Sequence, residues 1–192
     1  EWGGGIERYS ADPIKNLVVI GGGPAGMKAA AVAGRRGHHV TLIEKDSELG
    51  GHIRLLTQLP TRTKWNAAID NLKSEMDRGN VRVSTEIEVT KELVEDHDPD
   101  AIICAMGSEW ESTGFSSSRP DRSTLPGHEQ ENVISIDTAV RRALEGPGNL
   151  GNKVLIVDDT GEYLPFGLAE VLIDAGVSVE IVCPRAIVGE NV

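Results

Sequence analysis

Three glycines near the start of the chain have a spacing that indicates chemistry. Gly21, Gly23 and Gly26 form the pattern GxGxxG directly after the apolar run LVVI. Glycines at this spacing let a strand turn sharply into a helix, let the backbone approach a pyrophosphate, and let the helix pack close to the strand. Pro24 and Ala25 fall in the first turn of that helix, whose free N–H groups and partial positive charge attract phosphate. The pattern predicts a dinucleotide-binding loop.

An acidic residue follows the second apolar run. Glu44 comes after HVTLI, at a position where a carboxylate can accept hydrogen bonds from both hydroxyls of an adenosine ribose. The same charge repels a 2′-phosphate, so NADP is disfavoured at this site. Lys45, His52 and Arg54 are expected near the adenosine and pyrophosphate ends of the ligand, and Gly51, directly before His52, is a further candidate binding residue. His52 is equally well explained as a solvated loop residue.

The apolar runs and helical periodicity around these residues predict an α/β fold. Strands are expected at Leu17–Ile20, Val40–Glu44, Val81–Ser84, Ile87–Val89 and Ala101–Ala105, and helices at Pro24–Arg36 and Arg62–Arg78. A strand–helix–strand unit of this kind has parallel strands and a right-handed crossover. We therefore predict a Rossmann-like FAD/NAD(P)-binding fold, a parallel sheet with flanking helices. Trp65 is expected in the core beneath the second helix.

The pattern then restarts without its glycines. After the loop Ser108–Pro126 and a short helix that Asp137 is expected to cap, a second unit is predicted: strand Val154–Val157, helix Leu164–Ala175 and strand Val177–Cys183. Its turn reads DDTGEY, and Asp158, Asp159 and Glu162 would face the pyrophosphate position, where like charges repel. We interpret this unit as one that no longer binds a dinucleotide. Arg185 leaves open the alternative that it binds NADP.

These elements suggest three segments. Residues 1–13 are interpreted as a linker from a preceding domain, residues 14–130 as the first dinucleotide-binding (FAD/ADP) domain, and residues 131–192 as an incomplete second Rossmann-like domain. Because one strand–helix–strand unit cannot cover its own sheet, we expect the chain to be part of a larger protein. A naturally short subunit is the alternative.

Composition excludes several classes of function. The net charge of −11 argues against nucleic acid as a partner, and no apolar stretch reaches the length of a membrane span. Cys104 and Cys183 lie in apolar runs and are expected to be buried and reduced, as in a cytoplasmic protein. The histidines lack metal-ligand spacing and there is no CxxC, so no metal site is expected. Homo-oligomerisation is left open.

Further motifs resemble one family of iron–sulfur flavoproteins. The segment SELGGHIR after Glu44, the Leu59-Pro60 pair, Trp65 and the run AIICAMG are similar to the C-terminal half of trimethylamine dehydrogenase and its relatives, histamine and dimethylamine dehydrogenases and 2,4-dienoyl-CoA reductase. The resemblance adds Ala105 and Gly107 to the candidate binding residues. Met106 stands between them, where the family has threonine.

The resemblance implies a function for the whole enzyme. In this family a preceding TIM barrel holds FMN, the substrate pocket and a 4Fe-4S cluster, which would leave no catalytic residue in this chain. The amine-dehydrogenase branch, to which DDTGEY is similar, holds ADP rather than FAD and passes electrons to an electron-transferring flavoprotein. FAD and ADP both remain open. The alternatives are an NAD(P)H-dependent flavin or enoate reductase, and a non-catalytic module with structural ADP.

Overall fold

The computed structural model describes residues 10–192, and most of the expected linker over residues 1–13 lies outside that range. The chain divides into two compact units. The first contains the described residues up to Arg54 together with Lys64–Ser108, and the second contains Leu55–Thr63 and Glu109–Val192. The first unit thus ends before residue 130, where the sequence places the boundary between domains. The domain bounds stay a prediction.

The first unit is built on a parallel sheet of four strands. They are β1 (Asn16–Ile20), β2 (His39–Ile43), β3 (Arg82–Ser84) and β4 (Ala101–Cys104), in the order β3-β2-β1-β4. The helices along this part of the chain are α1 (Pro24–Arg35), α2 (His52–Thr57), α3 (Asn66–Arg78) and α4 (Lys91–Asp96). The predicted parallel strand–helix–strand unit and its α/β class are confirmed.

The core of the first unit depends on small residues in α1. Met27, Ala30 and Ala31 are fully buried against strand residues such as Val19 and Leu42. Alanines keep the helix close to the sheet and favour helix formation. Gly34 of α1 lies against Gly79, the C-cap of α3. A Cβ on Gly34 would overlap the Gly79 carbonyl oxygen. The two helices therefore approach each other more closely than larger side chains would allow.

Three expectations about this unit are wrong. Ile87–Val89 is not a strand: Glu86, directly before it, has a φ of +60° that interrupts the extended chain, and the Ile87 N–H donates to the carbonyl oxygen of Glu44, 3.0 Å away. Trp65 is 47% exposed, since it lies in a 3₁₀ turn that precedes α3 and does not share the phase of that helix. Cys104 is exposed because β4 is an edge strand of the sheet.

The second unit has one parallel strand pair. Its elements are α5 (Ile136–Glu145), β5 (Lys153–Val157), α6 (Tyr163–Asp174) and β6 (Ser178–Val182). The predicted strands and helix agree with these bounds to within one residue. Ser135 rather than Asp137 is the N-cap of α5, because the helix begins at Ile136 and Asp137 already lies in its first turn. Val140, Leu168 and Leu172 form the centre of a core between the two helices and the strands.

Two classes of feature are absent from residues 10–192. No helix there is long and apolar enough to cross a bilayer. No group of three or more His, Cys, Asp or Glu side chains in the same range is arranged to hold a metal ion. Cys104 and Cys183 are both free thiols, and Cys183 is partly exposed.

A charge pair between α1 and α3 lowers the pKa of the Glu75 carboxyl. The Lys28 ammonium lies 2.6 Å from Glu75 Oε2, and Arg35 lies 3.7 Å from the same oxygen. The hydrogen bond from Lys28 lowers the pKa of the Glu75 carboxyl, and the positive charges of Lys28, Arg35 and Arg78 act in the same direction against desolvation. A carboxyl whose pKa is lower in the folded state stabilises the fold above its unfolded pKa and loses that effect in acid.

We predict that Glu75→Gln lowers the free energy of unfolding by about 0.5–1 kcal/mol at neutral pH, because this pair is only partly shielded from solvent. The difference from wild type should shrink as the pH falls through the pKa of Glu75. Urea unfolding at a series of pH values measures it. Glu95→Gln, which removes an exposed ion pair with Lys91, is the matched control and should have little effect. An undiminished difference in acid would contradict the prediction.

Candidate nucleotide-binding site

The first glycine loop (Gly21–Gly23) lies where the order of the strands reverses. The chain runs from β1 outward through β2 to β3 and then returns to β4 on the other side of β1. Ligands of open α/β sheets bind at such a switch point, at the carboxyl ends of the strands. The Gly21 N–H donates to the Ile43 carbonyl oxygen at 2.8 Å, and the Ala105 N–H donates to the Ile20 carbonyl oxygen at 2.8 Å. Ala105 is thereby held beside the loop.

Gly21 and Gly26 are required by close packing. Gly21 has a φ of +106°, and a Cβ there would overlap the carbonyl oxygen of Ala105. A Cβ on Gly26, in the first turn of α1, would overlap the carbonyl oxygen of Gly21. Strand, loop and helix therefore meet at backbone contact distance, as the GxGxxG spacing predicts.

Gly23 differs from its neighbours because it faces open space. No atom of residues 10–192 lies within 4 Å of the position that its Cβ would take. Gly23 is the N-cap of α1, no side chain caps the helix, and Pro24 occupies the first turn. The N–H groups of Ala25 and Gly26 fall in the first turn, where a helix offers them no acceptor of its own. The open end of α1 therefore suits an anion such as a pyrophosphate.

Glu44 is buried directly beside this loop. Its side chain is 8% exposed, Oε2 accepts a hydrogen bond from the Gly22 N–H, and Oε1 accepts one from the Asp46 N–H at 2.8 Å. Sequence reasoning singled out Glu44 but missed its two backbone partners. The run of three glycines was the available indication, since a Cβ on Gly22 would lie 2.5 Å from Leu49 Cδ2 and 2.9 Å from Glu44 Oε2.

The segment before α2 also packs against the loop. The Gly50 N–H donates to the Gly22 carbonyl oxygen at 2.8 Å. Gly51, with a φ of +52°, would bring a Cβ within 3.2 Å of the Gly23 Cα. His52 follows as the first residue of α2. Gly51, directly before α2, therefore lies beside Gly23.

The remaining candidates lie at the rim. Lys45 is exposed next to Glu44. Gly107, with a φ of +80°, has open space where a Cβ would be. Met106, before it, is 72% exposed and follows Ala105 at the end of β4. The structure thus gathers the glycine loop, Glu44, Gly51 and Ala105 in one place, and leaves Lys45 and Gly107 exposed at its edge.

The corresponding loop of the second unit has a different construction. Residues 158–162 separate β5 from α6, whereas only Gly21–Gly23 separate β1 from α1. Asp158 is 2% exposed. Its carboxylate accepts hydrogen bonds from the Thr160 N–H at 2.9 Å, the Thr160 hydroxyl at 2.9 Å and the Gly161 N–H at 3.0 Å. An internal carboxylate therefore takes up donors of this loop, and Asp158 does not face a ligand.

Neighbouring segments of the second unit bind the same loop. Asp159 accepts a hydrogen bond from the Ser116 hydroxyl at 2.6 Å. Asn191 Nδ2 donates to the Thr160 carbonyl oxygen at 2.8 Å, and the Asn191 N–H donates to that of Gly161 at 3.0 Å. Arg185 forms an ion pair with Glu190, 3.1 Å away. Of the three acids expected to repel a pyrophosphate, Glu162 alone is exposed.

Comparison with known proteins matches the first unit to a family model and the chain to parts of larger proteins. The family described as FAD dependent oxidoreductase matches residues 16–105, which include the first glycine loop and Glu44. An N,N-dimethylglycine/sarcosine dehydrogenase from Chromohalobacter salexigens is 33% identical over 94% of this chain and 25% of its own length. An NADH oxidase from Thermoanaerobacter brockii is 37% identical over 62% of this chain and 17% of its own length.

One of the similar solved structures is also a dehydrogenase. Histamine dehydrogenase from Rhizobium sp. 4-9 matches with a TM-score of 0.81 and 26% identity, over 95% of this chain and 28% of that protein. The chain therefore spans between 17% and 28% of the length of these three relatives.

The different surroundings of the two glycines predict different effects on stability. Gly26→Ala inserts a methyl group into a backbone contact and should lower the free energy of unfolding by about 3 kcal/mol or more. Gly23→Ala points its methyl into open space and should lower it by less than about 1 kcal/mol, the difference between alanine and glycine at an N-cap. Urea unfolding of both variants measures this. Equal effects would contradict the described geometry.

Proposed function

We propose that the first unit binds the ADP half of FAD, or ADP itself, since residues 16–105 match the FAD dependent oxidoreductase family and the chain is similar to part of the dimethylglycine/sarcosine and histamine dehydrogenases. The open space at Gly23 carries this proposal. Gly21 and Gly26 are closely packed on either side, so the opening at the end of α1 suits a ligand. Bound flavin would supply the redox chemistry, and the residues of this chain would hold its nucleotide.

Each part of an adenine nucleotide has suitable partners in the first unit. The pyrophosphate would lie at the N-terminus of α1, and the ribose hydroxyls would donate to Glu44, whose oxygens keep lone pairs beyond those used by the backbone. The residues proposed to contact the ligand are Gly21, Gly23, Pro24, Ala25, Gly26, Glu44, Lys45, Gly51, His52, Ala105 and Gly107.

For the whole enzyme we propose an amine-type dehydrogenase. Its other parts would include a TIM barrel with FMN and a 4Fe-4S cluster, and an electron-transferring flavoprotein would accept its electrons. The names of the dimethylglycine/sarcosine and histamine dehydrogenases support the substrate class. The small share of each relative that the chain spans supports a division of labour in which other domains carry the catalytic residues.

The proposal is tested by denaturing the purified chain and identifying the released small molecule by absorbance and mass. We expect FAD or ADP in wild type, and neither in Gly23→Val, whose side chain would occupy the space assigned to the pyrophosphate. FAD would favour a flavin-carrying domain, whereas ADP would favour a structural nucleotide. If wild type releases neither, titration with both ligands follows, and failure to bind either would refute the proposal.

The NADH oxidase relative favours a second candidate, an NAD(P)H-dependent flavin reductase. That activity needs a nicotinamide nucleotide, and the second loop is the position at which this chain would bind it. Because Asp158 already takes up donors of that loop, we predict no saturable binding of NADH or NADPH to the second unit. Fluorescence titration of wild type and Arg185→Ala tests this. Tight NADPH binding that Arg185→Ala weakens would establish the reductase instead.

A further inference from the structure

Glu44 makes contacts that a residue serving only the ribose would not need. Glu44 is more than nine-tenths buried, and each of its two carboxylate oxygens accepts a hydrogen bond from a backbone N–H group of the chain itself. We infer that Glu44 is a positioning residue that holds the first glycine loop in its nucleotide-binding shape. This role is separate from the proposed contact with ribose, although it rests on the proposed function for the identity of the ligand.

Gly22 is the residue through which Glu44 holds the first glycine loop. It is buried at the middle of the loop, its N–H donates to Glu44, and its carbonyl oxygen accepts from the Gly50 N–H at 2.8 Å. Hydrogen bonds therefore hold both the N–H and the carbonyl oxygen of Gly22. Without the carboxylate the Gly22 N–H would be buried with no acceptor, a state that folded proteins avoid by moving the backbone. Movement of Gly22 would displace Gly23, the residue that faces the proposed pyrophosphate.

The change in anion affinity on removing the Glu44 charge distinguishes a positioning role from a purely electrostatic one. Removing a negative charge next to a phosphate site should strengthen binding of an anion if electrostatics alone decide the affinity. If Glu44 instead positions the loop, Glu44→Gln should weaken binding even of ligands that have no ribose hydroxyls. The glutamine amide group would face one of the two N–H donors, so only one of the hydrogen bonds could remain.

The test measures the affinity of the 192-residue chain for ADP, for 2′,3′-dideoxy-ADP and for inorganic pyrophosphate by calorimetry. For Glu44→Gln we expect about a tenfold loss for dideoxy-ADP and pyrophosphate, the effect of one hydrogen bond to a charged acceptor, and a larger loss for ADP. Unchanged or tighter binding of dideoxy-ADP, with a loss confined to ADP, would overturn the inference. Failure of wild type to bind any of the three would instead refute the proposed function.

Asp100→Asn is the matched control. Asp100 Oδ2 accepts a hydrogen bond from the Asn16 N–H at 2.7 Å, at the opposite end of β1 from the glycine loop. This variant also replaces a carboxylate that binds backbone, so it should change stability without changing the affinity for any of the three ligands. Equal losses of affinity in the two variants would show that general destabilisation, and not positioning, explains the effect.

A measurement on wild type keeps the inference testable if Glu44→Gln does not fold. Hydrogen exchange of the Gly22 amide in nucleotide-free protein should be as slow as that of strand amides, because Glu44 already accepts its hydrogen bond. Exchange at the rate of an exposed loop, slowed only after ADP is added, would overturn the inference.

Discussion

The backbone contact between Gly21 and Gly26 sets the geometry of the first unit. A single methyl group on Gly26 would overlap the Gly21 carbonyl oxygen, so the start of α1 can lie this close to the end of β1 only while residue 26 is glycine. This contact directs the N-terminus of α1 towards the crevice between β1 and β4, where the strand order reverses. The open position of Gly23 follows from it, because the helix is held by its neighbours and leaves its first N–H groups uncovered.

The two units share a strand–helix–strand architecture but differ in where a buried carboxylate lies relative to the loop between strand and helix. In the first unit, Glu44 lies behind the loop and accepts N–H groups from Gly22 and Asp46, so the N-terminus of α1 stays available. In the second unit, the carboxylate of Asp158 belongs to the loop itself and accepts the N–H groups of Thr160 and Gly161. A buried carboxylate among those donors satisfies them as a phosphate would, and its charge opposes a second anion. This difference favours one nucleotide site in the chain over two.

Features that depend on neighbouring residues in the chain could be predicted from the sequence. GxGxxG, the apolar runs of β1, β2, β5 and β6, and the proline and alanines at the start of α1 each reflect local geometry, and their elements are confirmed. The contacts of Glu44 with Gly22 and Asp46 could not be predicted, because they depend on how a loop folds back over a strand end. The apolar sequence of β4 suggested burial on both faces, but the sequence does not reveal that this strand lies at an edge. Trp65 fits the periodicity of α3, yet the helix begins one residue later and the phase is lost.

The most direct test for a nucleotide site at the first glycine loop is to follow individual backbone N–H groups by NMR during an ADP titration of the ¹⁵N-labelled chain. We predict large, saturable shifts of the Gly23, Ala25 and Gly26 resonances at the open end of α1, and none at Thr160 or Gly161, whose N–H groups already donate to Asp158. Shifts confined to the second loop, or no shifts at either loop with ADP in excess, would contradict this prediction.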